Sequence, residues 1–198
     1  MKKVGIVGLG IMGRGIATNF LKNNYPVYVW NRTTSVTDKF KKMGAFVCKS
    51  PAEVAQNADI VFEVTANDQS SKQVWTGKNG ILSGAKKDSI LTVSATLSSL
   101  WIDSLIKLCK QRRVTFMDIA LTGGRVGAET GSLTLLCGGT KRVLEEIRPA
   151  LEAISKQIFY FGPEGHGMKY KLILNLSKLF ISMGLGKLCR LQKRTIWI

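Results

Sequence analysis

Histidine is almost missing: His166 is the one imidazole in 198 residues. Cysteine is sparse as well, with Cys48, Cys109, Cys137 and Cys189 widely spaced and no Cys-x-x-Cys pair among them. Together these residues match no familiar zinc-ligand spacing. Scattered thiols suit a reduced, cytoplasmic protein better than a disulfide framework. No apolar run reaches the roughly 18 to 20 residues needed to cross a bilayer. The opening Met1-Lys2-Lys3 followed by Val4–Leu9 has the order of a signal peptide. Its apolar stretch is short and glycine-broken, however, and Arg14 and Asn19 follow soon after, which excludes that reading. No membrane partner is expected.

Acid is scarce too. Thirteen carboxylates against 29 lysines and arginines give a net charge of +16. The bases are dispersed except toward the end, where residues 176–198 hold Lys178, Lys187, Arg190, Lys193 and Arg194 and no acid. Neither a zinc finger nor the basic Gly-aromatic motif of an RNA-binding sheet accompanies them, so nucleic acid is not an expected partner. The excess charge suits anionic cofactors or plain solubility.

What is present is ordinary globular material: 45% hydrophobic and 21% charged, in a chain long enough to bury a core unaided. Glycine stands out, with 20 residues, as it does where a backbone turns tightly or approaches a ligand. Apolar runs predict strands at Val4–Leu9, Pro26–Trp30, Phe46–Cys48, Asp59–Val64, Ser89–Val93 and Val114–Ile119, with two short ones at Leu133–Cys137 and Gln157–Tyr160. Helical spacing covers Ile11–Lys22, Lys39–Met43, Leu97–Lys110, Lys141–Ile154 and a long stretch from about Met168. Ser50-Pro51-Ala52-Glu53 has the pattern of a helix start. Strand and helix alternate, which predicts an α/β fold: a Rossmann-type doubly wound, mostly parallel sheet followed by a long C-terminal helix.

The first turn carries chemistry. Gly8-Leu9-Gly10-Ile11-Met12-Gly13 fits Gly-x-Gly-x-x-Gly, directly after a predicted strand and opening a predicted helix. Gly8 permits the tight turn, Gly10 lets a pyrophosphate approach the backbone, and Gly13 lets helix pack on strand. The helix N-terminus then offers free N–H groups to phosphate. At the end of the second strand, an NAD site places an acid on the ribose hydroxyls. Asn31-Arg32-Thr33 stands there instead. A guanidinium pairs with a 2′-phosphate where a carboxylate would repel it, so NADP(H) is expected over NAD(H). A solvated surface cation is the alternative for Arg32.

With these motifs on hand, the chain resembles the β-hydroxyacid dehydrogenase family. That family includes 3-hydroxyisobutyrate dehydrogenases and glyoxylate or succinic semialdehyde reductases, and its nucleotide domain is of the 6-phosphogluconate dehydrogenase type. The glycine loop with Ala17, Asn19 and Asn31-Arg32-Thr33 is similar to its opening signature. Asp118-Ile119-Ala120-Leu121-Thr122-Gly123-Gly124 resembles its substrate segment, with Thr122 in place of serine and Ala120 in place of proline; Ala128–Thr134 continues the match. Thr92–Thr96 follows its Asp-x-Ser-Thr loosely, with Ser94 in place and threonine one position late at Thr96. Gly165-His166-Gly167 through Lys171 and Asn175 fits its Gly-x-Gly-x-x-x-Lys-x-x-x-Asn catalytic segment.

The resemblance implies an NADP-dependent oxidoreductase acting on a small carboxylate, a β-hydroxy acid, semialdehyde or 2-oxo acid. It implies cofactor contacts from Gly8, Leu9, Gly10, Ile11, Met12, Gly13, Asn31, Arg32, Thr33, Thr65, Asn67, Ser94 and Thr96. Substrate contacts would come from Ser94, Thr122, Gly123 and Gly124, and catalysis from Lys171 and Asn175. The residues support this in part by themselves. Lys171 and Asn175, four apart, share a helix face. A lysine there can protonate a carbonyl oxygen as hydride arrives, once burial or a nearby cation lowers its pKa. Spacing alone fits a solvated basic face equally well. Thr122-Gly123-Gly124 falls where doubly wound sheets bind ligands, and its successive N–H groups can cradle a carboxylate.

Length separates the chain from the family, whose members continue into a helical domain that closes the cleft. The expected organisation is a nucleotide domain over residues 1–165 and the start of an interdomain helix over 166–198 with an atypical basic tail, as a frameshift or early stop would leave. The helix would carry an apolar stripe of Leu172, Leu176, Leu179, Phe180 and Met183, which invites a homodimer; a membrane-surface or partner-helix role is the alternative. A non-catalytic NADP-binding remnant is the alternative to the enzyme.

Overall fold

The computed structural model describes the backbone of residues 1–195 and the side chains of residues 1–183. The side chains of Lys187, Cys189, Arg190, Lys193 and Arg194 in the basic end lie outside the described residues.

Strand β1 (Val4–Val7) leads through the glycine loop into α1 (Ile11–Lys22), then β2 (Val27–Trp30). A single 3-10 turn, Thr34–Val36, precedes α2 (Thr37–Lys42) and β3 (Phe46–Val47). Next come α3 (Pro51–Asn57), β4 (Ile60–Glu63), α4 (Asp68–Thr76), α5 (Ile81–Gly84) and β5 (Ile90–Val93). The second half runs α6 (Ser99–Arg112), β6 (Thr115–Thr122), α7 (Gly124–Thr130), β7 (Leu133–Gly138), α8 (Lys141–Glu152), β8 (Ser155–Tyr160) and α9 (His166–Thr195).

Among the described residues the strands form one sheet in the order β3-β2-β1-β4-β5-β6-β7-β8. Pairing is parallel from β3 to β6 and again between β7 and β8, and antiparallel only between β6 and β7. The doubly wound, mostly parallel architecture expected from the sequence is therefore present. The central strands β1, β4 and β5 are buried throughout and mostly apolar, as strands covered on both faces tend to be. Alternation along them divides the core. Val4 and Ile6 join Ile16 and Phe20 of α1 and Leu144, Ile147 and Leu151 of α8 on one face. Val7, Val61 and Leu91 join Val54 of α3, Trp75 of α4 and Leu105 of α6 on the other.

The chain leaves β1 toward β2 on one side and returns through β4 on the other. The sheet's topological switch point lies between those strands, where open α/β sheets bind ligands beyond the strands' carboxyl ends. Strand β6 runs three residues past its expected end at Ile119, so Thr122 closes the strand rather than following it. Helix α4 lies on a segment where the sequence pattern gives no helix.

Candidate active site

At the switch point the glycine loop is fixed from both sides. Gly8 has φ +106°, a region side chains disfavour, and a Cβ there would sit 2.5 Å from the Val64 carbonyl oxygen. A Cβ on Gly13 would overlap the Gly8 carbonyl. Gly10 is different: a Cβ there meets no atom within 4 Å. The first helical bond of α1 runs from Arg14 N–H to Gly10 O at 3.0 Å, so the amides of Ile11, Met12 and Gly13 precede it and are open to an anion. Leu9 is buried, and its N–H is already given to Asn31 Oδ1 at 2.9 Å. Asn31 thus ties the end of β2 to the loop, and its Nδ2 donates to Thr33 O at 3.0 Å.

Beside the loop lies a cleft of about 440 Å³, lined by Gly8, Gly10, Trp30, Asn31, Arg32, Thr33, Thr65 and Gln73 among others, with no acid. Arg32 is exposed there, and among the described residues no carboxylate pairs it. Asn67 is not part of this lining. Its side chain accepts Ser70 N–H at 2.9 Å and caps α4.

A second cleft, of about 610 Å³, opens on the other side of Val64, Thr65 and Ala66. It brings together Met12, Ser94, Thr96, Thr122, Gly123, Gly124, Lys171, Asn175 and Lys178. The lining comes from α1, the ends of β4, β5 and β6, and α9, and it contains most of the expected nicotinamide and substrate residues. Lys171 is 8% exposed, and its Nζ donates to Thr122 Oγ1 at 3.3 Å. Burial, and after it the charge of Lys178, hold its pKa below the ordinary lysine value. Ser94 Oγ is buried with no hydrogen-bond partner, as a hydroxyl awaiting a ligand would be. Gly123 and Gly124 have φ +120° and +62° in succession, a turn only glycines adopt readily, and no atom lies within 4 Å of a Cβ on Gly124. Arg125 does not join this cleft; it pairs with Glu129 at 2.7 Å on the exposed face of α7.

Two buried acids support the site, and the sequence pattern does not single out either as functional. Asp118 in β6 accepts Gly165 N–H on one oxygen and Met168 N–H on the other, both at 2.6 Å. It thereby anchors the start of α9 three residues before Lys171, where a negative charge also suits the helix dipole. Burial raises its pKa, and these N–H bonds oppose the rise. Glu63, at the end of β4, accepts Thr65 N–H at 2.9 Å, and its other oxygen faces Ser71 Oγ and Trp75 Nε1 at 3.4 Å. It fixes the turn between the two clefts, and complete burial raises its pKa.

The NAD binding domain of 6-phosphogluconate dehydrogenase matches residues 3–162. The chain is 37% identical over 179 residues to glyoxylate/succinic semialdehyde reductase 1 of Arabidopsis thaliana, covering 88% of this chain and 60% of the reductase. It is 34% identical over 180 residues to the mitochondrial 3-hydroxyisobutyrate dehydrogenase of Mus musculus, covering 91% of this chain and 53% of that enzyme. The fold superposes on the 3-hydroxyisobutyrate dehydrogenase of Mycobacterium tuberculosis with a TM-score of 0.92 at 22% identity, over 98% of this chain and 66% of that one. The chain thus spans between half and two thirds of the length of these three proteins.

A nicotinamide dinucleotide fits the residues present. The space beside Gly10 and the open amides of α1 suit a pyrophosphate, and the unpartnered Ser94 hydroxyl lies in the cleft beyond. By its sequence the chain belongs to the β-hydroxyacid dehydrogenase family, with a nicotinamide-dinucleotide-binding domain of the 6-phosphogluconate dehydrogenase type.

Proposed function

We propose that the chain binds NADP(H) in preference to NAD(H) and interconverts a small semialdehyde or 2-oxo acid with its hydroxy acid. One observation carries this reading above the rest: Lys171, nearly buried and depressed in pKa, reaches Thr122 in a cleft that adjoins the glycine loop. The pyrophosphate would lie on Gly8–Gly13, the 2′-phosphate on Arg32 with Asn31 and Thr33, and the nicotinamide side near Thr65, Ser94 and Thr96. Asn67 would contribute by holding α4 in place. The substrate carboxylate would rest on Thr122, Gly123 and Gly124, with Ser94 beside it.

When bound, the nicotinamide supplies or accepts a hydride. In reduction, the Lys171 ammonium gives a proton to the substrate's carbonyl oxygen. In oxidation, the neutral amine takes the hydroxyl proton. A pKa held below the ordinary lysine value eases release of the proton in reduction and brings the neutral amine that oxidation needs closer to reach. Asn175, one turn along the same face, orients that oxygen.

In this reading residues 1–165 are the nucleotide domain and 166–198 begin an interdomain helix. The described part of α9 exposes Leu176, Leu179, Phe180 and Met183, each more than half exposed, and a second copy would cover them. A reducing cytoplasm suits the buried, unbridged Cys48, Cys109 and Cys137.

The second reading is a chain that binds nucleotide without turnover. It is favoured by Asn175, which is exposed in a cleft still open to water. Steady NADPH oxidation with glyoxylate or succinic semialdehyde, abolished in Lys171→Ala, supports the enzyme. Turnover that survives Lys171→Ala contradicts the mechanism, and binding without turnover selects the second reading.

A further inference from the structure

One cation in the catalytic cleft has no task in the chemistry above. Lys178 lines the cleft with Lys171 and Asn175. Seven residues, two helical turns, separate Lys178 from Lys171, so both leave α9 on one face, about 10 Å apart along its axis. Asn175 lies between them. Among the described residues no carboxylate pairs with Lys178. None of the residues lining the cleft is acidic. Two ammonium groups therefore share one cleft without a counter-charge among the described residues, and after burial the Lys178 charge lowers the Lys171 pKa. Lys178 is exposed, so solvent screens the repulsion, and an anion between the two would still be drawn to both.

The cleft has a direction. At one end, the Thr122–Gly124 turn adjoins Lys171, with 3.3 Å between Nζ and Thr122 Oγ1. Lys178 stands two turns further along α9 from Lys171. A substrate with one carboxylate on the turn and its reacting carbon at Lys171 leaves Lys178 unmatched. A second carboxylate a few carbons further along would meet it.

We propose that Lys178 holds a second anionic group of the substrate, so that the cleft takes dicarboxylates, with the 2-oxo or hydroxyl carbon next to the first carboxylate. The proposal rests on the functional reading above for the place of the first carboxylate. It adds a specificity determinant on α9, and a coupling: the incoming dianion shields Lys171 from Lys178 and favours the protonated lysine that reduction needs.

Glutarate and butyrate, unreactive acids with and without the second carboxylate, test this by calorimetric titration of the full chain with and without NADPH. Glutarate is expected to bind about tenfold more tightly than butyrate, the scale of one added charge-assisted contact. Lys178→Met should bring the ratio near one, and Lys178→Arg should restore it. NADPH fluorescence in the same samples reports the nucleotide site separately. Its failure would undo the functional reading while leaving the carboxylate ratio legible. A ratio near one in the unaltered chain, or one that survives Lys178→Met, overturns the proposal.

Discussion

Lys171 is a cation placed where charge is disfavoured, and that sets a measurable cost. Its folded pKa lies below the ordinary 10.5, so the unfolded chain binds more protons than the folded one in the window beneath that value. Stability must therefore rise with pH through that window and level off above it. Lys171→Met keeps the apolar stem and removes the charge. It should abolish turnover yet raise the melting midpoint at pH 7 by about 2 °C, a gain that fades toward pH 10.5. Calorimetric melts at several pH values check the sign; a midpoint lowered at pH 7 would show that the lysine is stabilised rather than strained.

Glu63 has the mirrored logic. Its folded pKa lies above the ordinary 4.5, so stability falls as pH rises from there through the folded value. Glu63→Gln removes this dependence. The variant should gain on the parent as pH is raised from 4.5, although it loses the contact with Trp75. Melting curves that run parallel across that range would contradict the assignment. Neither acid was legible as part of the site. Glu63 ends an apolar strand, and Asp118 sits inside a motif whose glycines draw attention to its far end. Their partners are backbone amides and side chains of other elements, which only the folded chain brings near.

At the scale of elements, the loop before α1 separates two kinds of glycine. Gly13→Ala would drive a methyl into the Gly8 carbonyl and should cost the fold several degrees of melting temperature. Gly10→Ala meets nothing in the protein, so it should melt with the parent and fail instead in NADPH titration, because the methyl occupies the pyrophosphate's approach. Equal loss of stability in both variants would mean that the space beside Gly10 is not a ligand's.

The joint between β6 and α9 is as specific. Asp118→Asn leaves one acceptor for two N–H donors and should cost about 1 to 3 kcal/mol, the price of an orphaned buried amide. Hydrogen exchange should quicken first at Gly165 and Met168.

Strands and long helices were legible because they are long, apolar or periodic. Helix α4 was not: its sequence DQSSKQVWT is polar, and its capping box uses Asn67 and Ser70 rather than a serine–glutamate pair. The extra residues of β6 were missed because Ala120–Thr122 run into glycines that signal a turn.

For the whole molecule, strand–helix alternation fixed the fold class but not every direction. The link between β6 and β7 is one short helix flanked by glycines, and it turns the chain back on itself, so β7 pairs antiparallel where alternation alone implies parallel. That Ser94, Thr122–Gly124 and Lys171 line one cleft accords with the sequence, because each lies in a recognisable motif. That Lys178 belongs with them depends on how α9 lies across the sheet.

The exposed face of α9 carries its own expectation. Light scattering should give a dimer, and Leu176→Lys with Phe180→Glu should shift it to monomer, with a melting midpoint that no longer depends on protein concentration. A monomer from the outset would contradict the pairing.

An NADP(H) site formed by the glycine loop and Arg32 is open to fluorescence titration with NADPH and, separately, NADH. NADPH should bind at least about tenfold more tightly than NADH, with the difference erased in Arg32→Ala. Equal affinities, tighter NADH, or no binding of either nucleotide would contradict it.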